Sequence, residues 1–400
     1  MGSTLVSAMV ARGYRVSVLT NAKKHRSKSF YEVPENTPII YTRWIDTRRC
    51  RRHIRKAIVS LKPDIVIAMT VGAAARWWPH IMRGTGIPFI ISEHSNPWII
   101  EKEMWDYHER QLVLSCADGI HLLLPSYINS VNSELHDRVT PISNPLEPDM
   151  NTIGGGIERQ KILLAVGRLE DDVKQFSLLI DAFGLLTQEF PDWKLKIVGG
   201  DVDGSLEKYQ RQIGLLDIEE KIELTGVLRN LEEVYMSSSI LCHPARYEGF
   251  GLVVIEGYRY GLPAVGFREC SGINELIIDN VTGLLVNKMT REDLAGQLGI
   301  LMGDEQRLSR MRLEAINESK KYAANKIVDM WIRLIEKTIR GGKDMSLLDE
   351  IVQKGDVSKE PILRFLQKKY LNDTSILRKV MKEFYTLLLV ITRRLIRVEF

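Results

Sequence analysis

The sequence predicts an α/β protein of two domains, each built on a parallel sheet. Three observations carry this. Short apolar runs rich in Val and Ile recur in two series, each run followed by a segment of helical periodicity. A break containing proline and then glycines, 143–146 (SNPL) followed by 151–156 (NTIGGG), separates the two series. Finally, 400 residues at 44% apolar and 26% charged suffice for two cores at roughly 150 residues each.

Each element follows from its own stretch. The chain opens on MGSTLVSAMVAR, a helix with Ser3 at its cap, before a strand at 14–20 (YRVSVLT). A doubly wound sheet ordinarily opens on a strand that lies in its middle, and none precedes this helix. Either the start lies upstream or the sheet lacks a central strand; the first is expected, because unpaired inner edges are costly. Strands follow at 38–41, 64–69 (DIVIAM), 88–92 (PFIIS) and 119–123 (GIHLL), and the predicted first domain is 1–146. The second domain, 147–322, holds strands at 161–166 (KILLAV), 194–198, 221–225, 239–243, 263–267 and 283–286. A helix with Ile327, Met330, Trp331, Leu334 and Ile335 on its apolar face is expected to cross back to the first domain over 323–342. Beyond Gly341-Gly342 a basic helical tail, 343–400, is expected.

Composition narrows the function classes. Cys50, Cys116, Cys242 and Cys270 have no metal or redox spacing and point to a reducing interior. Neither a leader pattern nor an uncharged apolar run of about 18 residues is read from the chain, so a cytoplasmic protein is expected, peripheral at most on a membrane's inner face. Residues 341–400 hold 12 Lys and Arg against 8 Asp and Glu, equal to the whole net charge of +4. In that tail Arg378, Lys379, Lys382, Arg393, Arg394 and Arg397 surround an apolar centre. A second basic cluster gathers Arg43, Arg48, Arg49, Arg51, Arg52, Arg55 and Lys56. Both are candidates for an anionic membrane surface, or for a lipid diphosphate in the second case; a packed helix and a solvated helix face are the alternatives. No nucleic-acid reading module accompanies the charge, so no nucleic acid is expected. The histidines show no ligand spacing, and neither a metal nor a cofactor is expected.

The chemistry concentrates in HPARYEGFGLVVIEG, residues 243–257. A buried strand ends at Pro244 and a helix begins near Leu252, so Glu248-Gly249-Phe250-Gly251 is a strand-to-helix turn at the carboxyl end of a parallel strand, where ligands bind. Glycines admit a ligand close to the backbone, and the helix's first N–H groups suit anionic or hydroxyl-rich groups. Glu248 stands at the rim; Glu256, about one helical turn inside, suits paired hydroxyls. The stretch AVGRLEDDVKQF turns at Gly167, bringing Arg168 and Lys174 to the same sheet edge, where two cations suit a diphosphate. The plainer alternatives are a capping Glu248, a solvated Glu256, and Arg168 and Lys174 paired with Glu170, Asp171 or Asp172. Gly226 and Val227 are candidate contacts for a base, and His94, in the Glu93-His94-Ser95 that follows PFIIS at the strand's carboxyl end, is a candidate against a purely structural histidine.

This stretch, with its continuation RYGLPAVGFRECSGINELIIDNVTGLLV, resembles the donor-binding signature of glycosyltransferase family four, retaining enzymes of bacterial polysaccharide and lipid-linked glycan type. The resemblance covers the second domain nearly completely and much of the first. It implies the GT-B fold, two Rossmann-like domains facing a central cleft with a helical C-terminal tail. It implies also that Glu248 contacts the hydroxyls of a nucleoside diphosphate sugar, expected to be UDP-linked, while Gly249, Phe250, Gly251 and Leu252 offer amides and Glu256 holds the ribose. Arg168 and Lys174 would neutralise the departing diphosphate, and His94 would approach the sugar or the acceptor, a glycan or lipid-linked molecule. Front-face attack without metal is expected. In the family the interval from arginine to lysine is often one residue shorter and Gly or Asn follows the lysine; Gln175 departs from that. A non-catalytic partner subunit and a nucleotide-sugar epimerase of the same fold are the rival readings.

Overall fold

The structure, a computed structural model, describes residues 2–20, 33–41, 47–70, 72–104, 106–146, 159–341 and 387–392, with the backbone alone at 47–49, 70, 72–74 and 387–392. The chain divides into two compact units, residues 1–145 with 324–400, and residues 146–323. The first unit contains β1 (Arg15–Thr20), β2 (Ile39–Tyr41), β3 (Ile65–Thr70), β4 (Phe89–Glu93), β5 (Gly119–Leu122) and β6 (Val139–Pro141). The second contains β7 (Ile162–Val166), β8 (Lys194–Val198), β9 (Ile222–Gly226), β10 (Ile240–His243), β11 (Ala264–Phe267) and β12 (Gly283–Val286). One more strand, β13 (Leu387–Thr392), returns to the first unit.

In the first unit the order is β2-β1-β13-β3-β4-β5-β6. All pairs are parallel except those of β13, which lies antiparallel between β1 and β3 and pairs Leu389 with both Val18 and Ile67. The central place, for which a strand upstream of the opening helix was expected, is held by residues 387–392. Within the tail expected to be helical, these six described residues form a strand. LLLVIT is uncharged and ends on β-branched residues, and it meets the N–H and C=O groups of two inner edges, β1 and β3, that would otherwise be unpaired. The tail's basic residues, like Arg43 and the linker 151–156, lie outside the described residues. Short β6 is not foreshadowed by the pattern; it is an edge strand, where Pro141 is tolerated.

Two helices cover one face of that sheet. Gly2–Ala11 buries Leu5, Val6 and Met9, and Ala324–Arg340 buries Ile327, Val328, Trp331, Leu334 and Ile335 in the same cluster as Val16, Val18, Ile65 and Ile67. The apolar stripe differs at one place from expectation: Val328 faces the core, whereas Met330 is 36% exposed. The long helix lies very close to β5, since a Cβ at Gly119 would come within 2.7 Å of Thr338 Oγ1. In the helix Thr47–Leu61, the described part of the basic cluster is partly spent on structure: Arg55 Nη1 donates to the carbonyls of Ile81 and Arg83, each at 2.6 Å. Arg52 and Lys56 are exposed.

The second unit is ordered β12-β11-β10-β7-β8-β9 and is parallel throughout. From β7 the chain builds outward through β8 and β9, then returns to place β10 on the other side of β7. The order thus reverses between β7 and β10, and the crevice outside their carboxyl ends is the place where such sheets bind ligands. Lys174 follows β7 and Glu248 follows β10.

Candidate active site

The loops leaving β7 and β10 are tied to each other. The short helix Asp171–Lys174 ends in left-handed Gln175 (φ 50), from which Phe176–Gly184 departs. The residue that departs from the family pattern is thus the corner between two helices. Arg246 N–H donates to Val173 O at 2.8 Å, holding the β10 loop against that corner. Beneath it the aliphatic stem of Lys174 passes over Gly167, where a Cβ would lie 3.5 Å from Lys174 Cε.

Glu248 is the meeting point. Its Oε2 accepts from Lys174 Nζ and, at 3.0 Å, from His243 Nε2. His243 is buried, and Lys174 is only 12% exposed, so this charge pair is sheltered from water. Burial works against the carboxylate charge, yet the hydrogen bond from His243 and the Lys174 ammonium outweigh it and hold Glu248 well below the usual carboxylate range. Burial also pulls His243 below its ordinary value in spite of the Glu248 contact, so the neutral ring donates from Nε2, and its buried Nδ1 has no partner among the described residues. His243 carries no motif of its own in the sequence. Its only signal is its place at the end of a strand, the same signal that marks His94.

A second loop supports Glu248 from behind. Its N–H donates to Ser271 O at 3.3 Å, and Gly272, at φ 102, lies so close that a Cβ there would stand 2.8 Å from Glu248 O. The turn then passes Gly249 and Phe250 to Gly251 (φ 94), which opens the helix Leu252–Arg259. A Cβ at Gly251 would meet Ile273 Cδ1 at 2.5 Å. Phe250 is buried with its ring 6.1 Å from that of Tyr322, so only its backbone can face a ligand, whereas Leu252 is partly exposed. Glu256, on the same helix, accepts from Tyr235 OH at 2.9 Å. Tyr235 stacks on Tyr260 at 5.5 Å, and burial, reinforced by Glu256, raises its phenol well above the ordinary range, so it remains a donor. Tyr235 too is invisible to motif reading, being 21 residues from its partner.

The remaining candidates are less tightly gathered. Arg168 is 68% exposed and pairs with Glu170 at 3.0 Å, so at this edge Lys174 and not Arg168 is the cation that meets Glu248. Gly226 (φ 71) ends the edge strand β9 and Val227 follows it, exposed, where a Cβ on Gly200 would touch it at 2.8 Å. The triplet Asp201-Val202-Asp203, a spacing able to hold a divalent ion, caps its own turn through Gly204 and Ser205 N–H groups, each at 3.0 Å. Among the described residues no group of three His, Cys, Asp or Glu is placed to hold a metal.

In the first unit His94 follows β4, and its Nε2 lies 2.7 Å from Ser92 Oγ. The end of β4 is anchored by a buried knot in which Arg110 donates to both oxygens of Glu93 and, at 2.8 Å, to Glu101. Burial and the neighbouring His121 lower His94 well below its ordinary value.

Residues 153–321 match the family Glycosyl transferases group 1, and residues 3–148 match Glycosyltransferase Family 4. The chain belongs to the family-four glycosyltransferases. Over 354 residues this glycosyltransferase is 25% identical to an undecaprenol-linked GalNAc-extending alpha-1,4-N-acetyl-D-galactosaminyltransferase of Campylobacter jejuni, covering 83% of this chain and 92% of the relative. It is also 25% identical over 335 residues to an uncharacterized glycosyltransferase of Haemophilus influenzae, covering 82% and 92%. In structure it is similar to HepE of Anabaena in complex with UDP, with TM-score 0.66 at 16% identity over 75% of this chain and 86% of that one. Its fold is GT-B, two Rossmann-like units of parallel strands.

Proposed function

We propose that this glycosyltransferase moves a hexose or N-acetylhexosamine from a UDP-sugar to a glycan or lipid-linked acceptor, with retention, in the synthesis of a surface polysaccharide or glycoconjugate. The observation that carries the reading is the sheltered Lys174–Glu248–His243 cluster at the strand-order reversal, beside the glycine turn that opens the Leu252–Arg259 helix. Glu248 is charged and already hydrogen-bonded, so it is suited to gripping sugar hydroxyls and unsuited to giving a proton. Glu256, with one oxygen fixed by Tyr235, is suited to the ribose hydroxyls. Lys174 is assigned to the diphosphate, where a fixed cation stabilises the charge that grows as the sugar bond breaks. Arg168 joins it by leaving its exposed pair with Glu170, a contact worth little in water. The acceptor oxygen attacks the face from which the diphosphate departs, whose oxygen takes the acceptor's proton, and His94 meets a hydroxyl of the sugar or acceptor. The UDP-bound neighbour and the undecaprenol-linked relative support the choice of donor and acceptor class.

The deciding experiment offers a panel of UDP-sugars with and without an undecaprenol-diphosphate-linked glycan, following UDP release and product mass. Acceptor-dependent release with a product heavier by one sugar supports transfer. An isomerised free donor would make the protein an epimerase, and donor binding with no release or product would make it a non-catalytic subunit.

A further inference from the structure

The ends of β4 and β5 carry a line of polar groups that runs from a backbone carbonyl to His94. Ser92 and His121 stand opposite each other in the β4–β5 ladder, and both are fully buried. His121 Nε2 lies 2.7 Å from Ile142 O, Ser92 Oγ lies 2.8 Å from His121 Nδ1, and Ser92 Oγ lies 2.7 Å from His94 Nε2. Bonding rules place every proton along this line. A carbonyl only accepts, so His121 Nε2 carries the hydrogen. In a neutral ring Nδ1 is then bare, and Ser92 donates its one hydroxyl proton to it. Toward the third member Ser92 Oγ can only accept, so His94 Nε2 carries a hydrogen, and Nδ1 of a neutral His94 is bare. Burial pulls His121 down to about 4 and His94 well below its ordinary value, so both rings are neutral near pH 7.

We propose that Ser92 and His121 are positioning residues that lock His94 in its Nε2–H tautomer, so that its Nδ1 accepts a hydrogen bond from a hydroxyl of the sugar or acceptor. The inference rests on the assignment of His94 made above and narrows it. A bare Nδ1 cannot donate to a phosphate oxygen, so this position selects a neutral O–H group and rejects an anion. Packing holds the relay in line as well: the rings of His94 and His121 are 5.5 Å apart, and Trp331 covers His121 with centroids 4.4 Å apart. The helix Ala324–Arg340 thereby bears on the orientation of His94 through His121.

Long-range proton–nitrogen correlation spectra of the full chain, labelled with nitrogen-15 histidine at neutral pH, read the tautomers without turnover. His94→Asn and His121→Asn assign the peaks by their loss. The expected pattern is protonated Nε2 and bare Nδ1 in both rings. In Ser92→Ala, His121 keeps that pattern because Ile142 still accepts, while His94 becomes a mixture of tautomers; Ser92→Thr, which keeps the hydroxyl, restores the lock. Acceptor-dependent turnover falls about tenfold in Ser92→Ala with UDP affinity unchanged, and Ser92→Thr recovers it. An Nδ1–H or doubly protonated His94 in the wild type, or an unchanged His94 pattern in Ser92→Ala, overturns the lock. The expected spectra with wild-type turnover in His94→Asn would instead overturn the assignment of His94 and leave the lock standing.

Discussion

Replacing Glu248 with Gln keeps the shape of the side chain and removes the charge that Lys174 answers. With the charge gone, the grip on the sugar weakens at the moment of bond breaking more than in the resting complex. Glu248→Gln should therefore lower kcat by roughly 10²-fold while UDP affinity stays within about threefold, and Lys174→Ala, which also strips a cation from the diphosphate, should weaken UDP binding about tenfold and lower kcat by roughly 10²-fold, as read from steady-state kinetics and calorimetry. Glu256→Ala should do the reverse of Glu248→Gln, weakening UDP-sugar binding about tenfold with a smaller loss of kcat. Wild-type turnover in Glu248→Gln would end its assignment. His121 makes a prediction about pH. Its folded value, about 4, lies below its unfolded value of 6.5, so between the two the unfolded chain binds a proton that the folded chain does not. Stability that is full above pH 6.5 should thus fall as pH drops toward 4, by on the order of 3 kcal/mol from this group. His121→Asn should show a shallower acid limb in urea midpoints measured across that range.

At the scale of elements, Gly272 shows how one loop depends on another. An alanine there meets two obstacles, a left-handed φ of 102 and the Glu248 carbonyl at 2.8 Å, which as backbone cannot swing away. Gly204, at φ 86 with nothing within 4 Å, presents only the first. Gly204→Ala should cost about 1 kcal/mol and leave turnover alone, whereas Gly272→Ala should cost about 2–3 kcal/mol and depress turnover by displacing Glu248. Urea unfolding with parallel kinetics distinguishes them; equal turnover in the two variants would remove the buttress. The elements themselves were largely legible in advance. Every strand of the second unit from β7 to β12 is read from its apolar run, because a buried parallel strand declares itself within five or six residues. The Glu248 turn and the Lys174 loop were legible for the same reason, each being continuous in the chain. Which cation Glu248 meets was not: Arg168 and Lys174 look equivalent in sequence, and only the folded loop turns Lys174 inward and leaves Arg168 in water.

At the scale of the molecule, β13 ties the end of the chain to the centre of the first sheet. Leu389→Pro removes a ladder donor and should loosen the strand between β1 and β3. Hydrogen exchange should quicken at Val18, Leu19 and Ile65–Ile67 by about tenfold or more while β7 and β10 stay protected. Unchanged protection at Val18 and Ile67 would show that the two edges do not depend on this strand.

By itself the sequence determined the parallel strands of two sheets and the glycine turn flanked by Glu248 and Glu256. These are local facts: periodicity of two or 3.6, and motifs within one strand-to-helix turn. Only the tertiary structure decided that His243 and Tyr235 hold the two glutamates, that Ser92 and His121 orient His94, and that residues 387–392 complete a sheet begun at residue 15. Those partners lie on different strands and helices, and strand order, which no local pattern encodes, brings them within hydrogen-bonding distance.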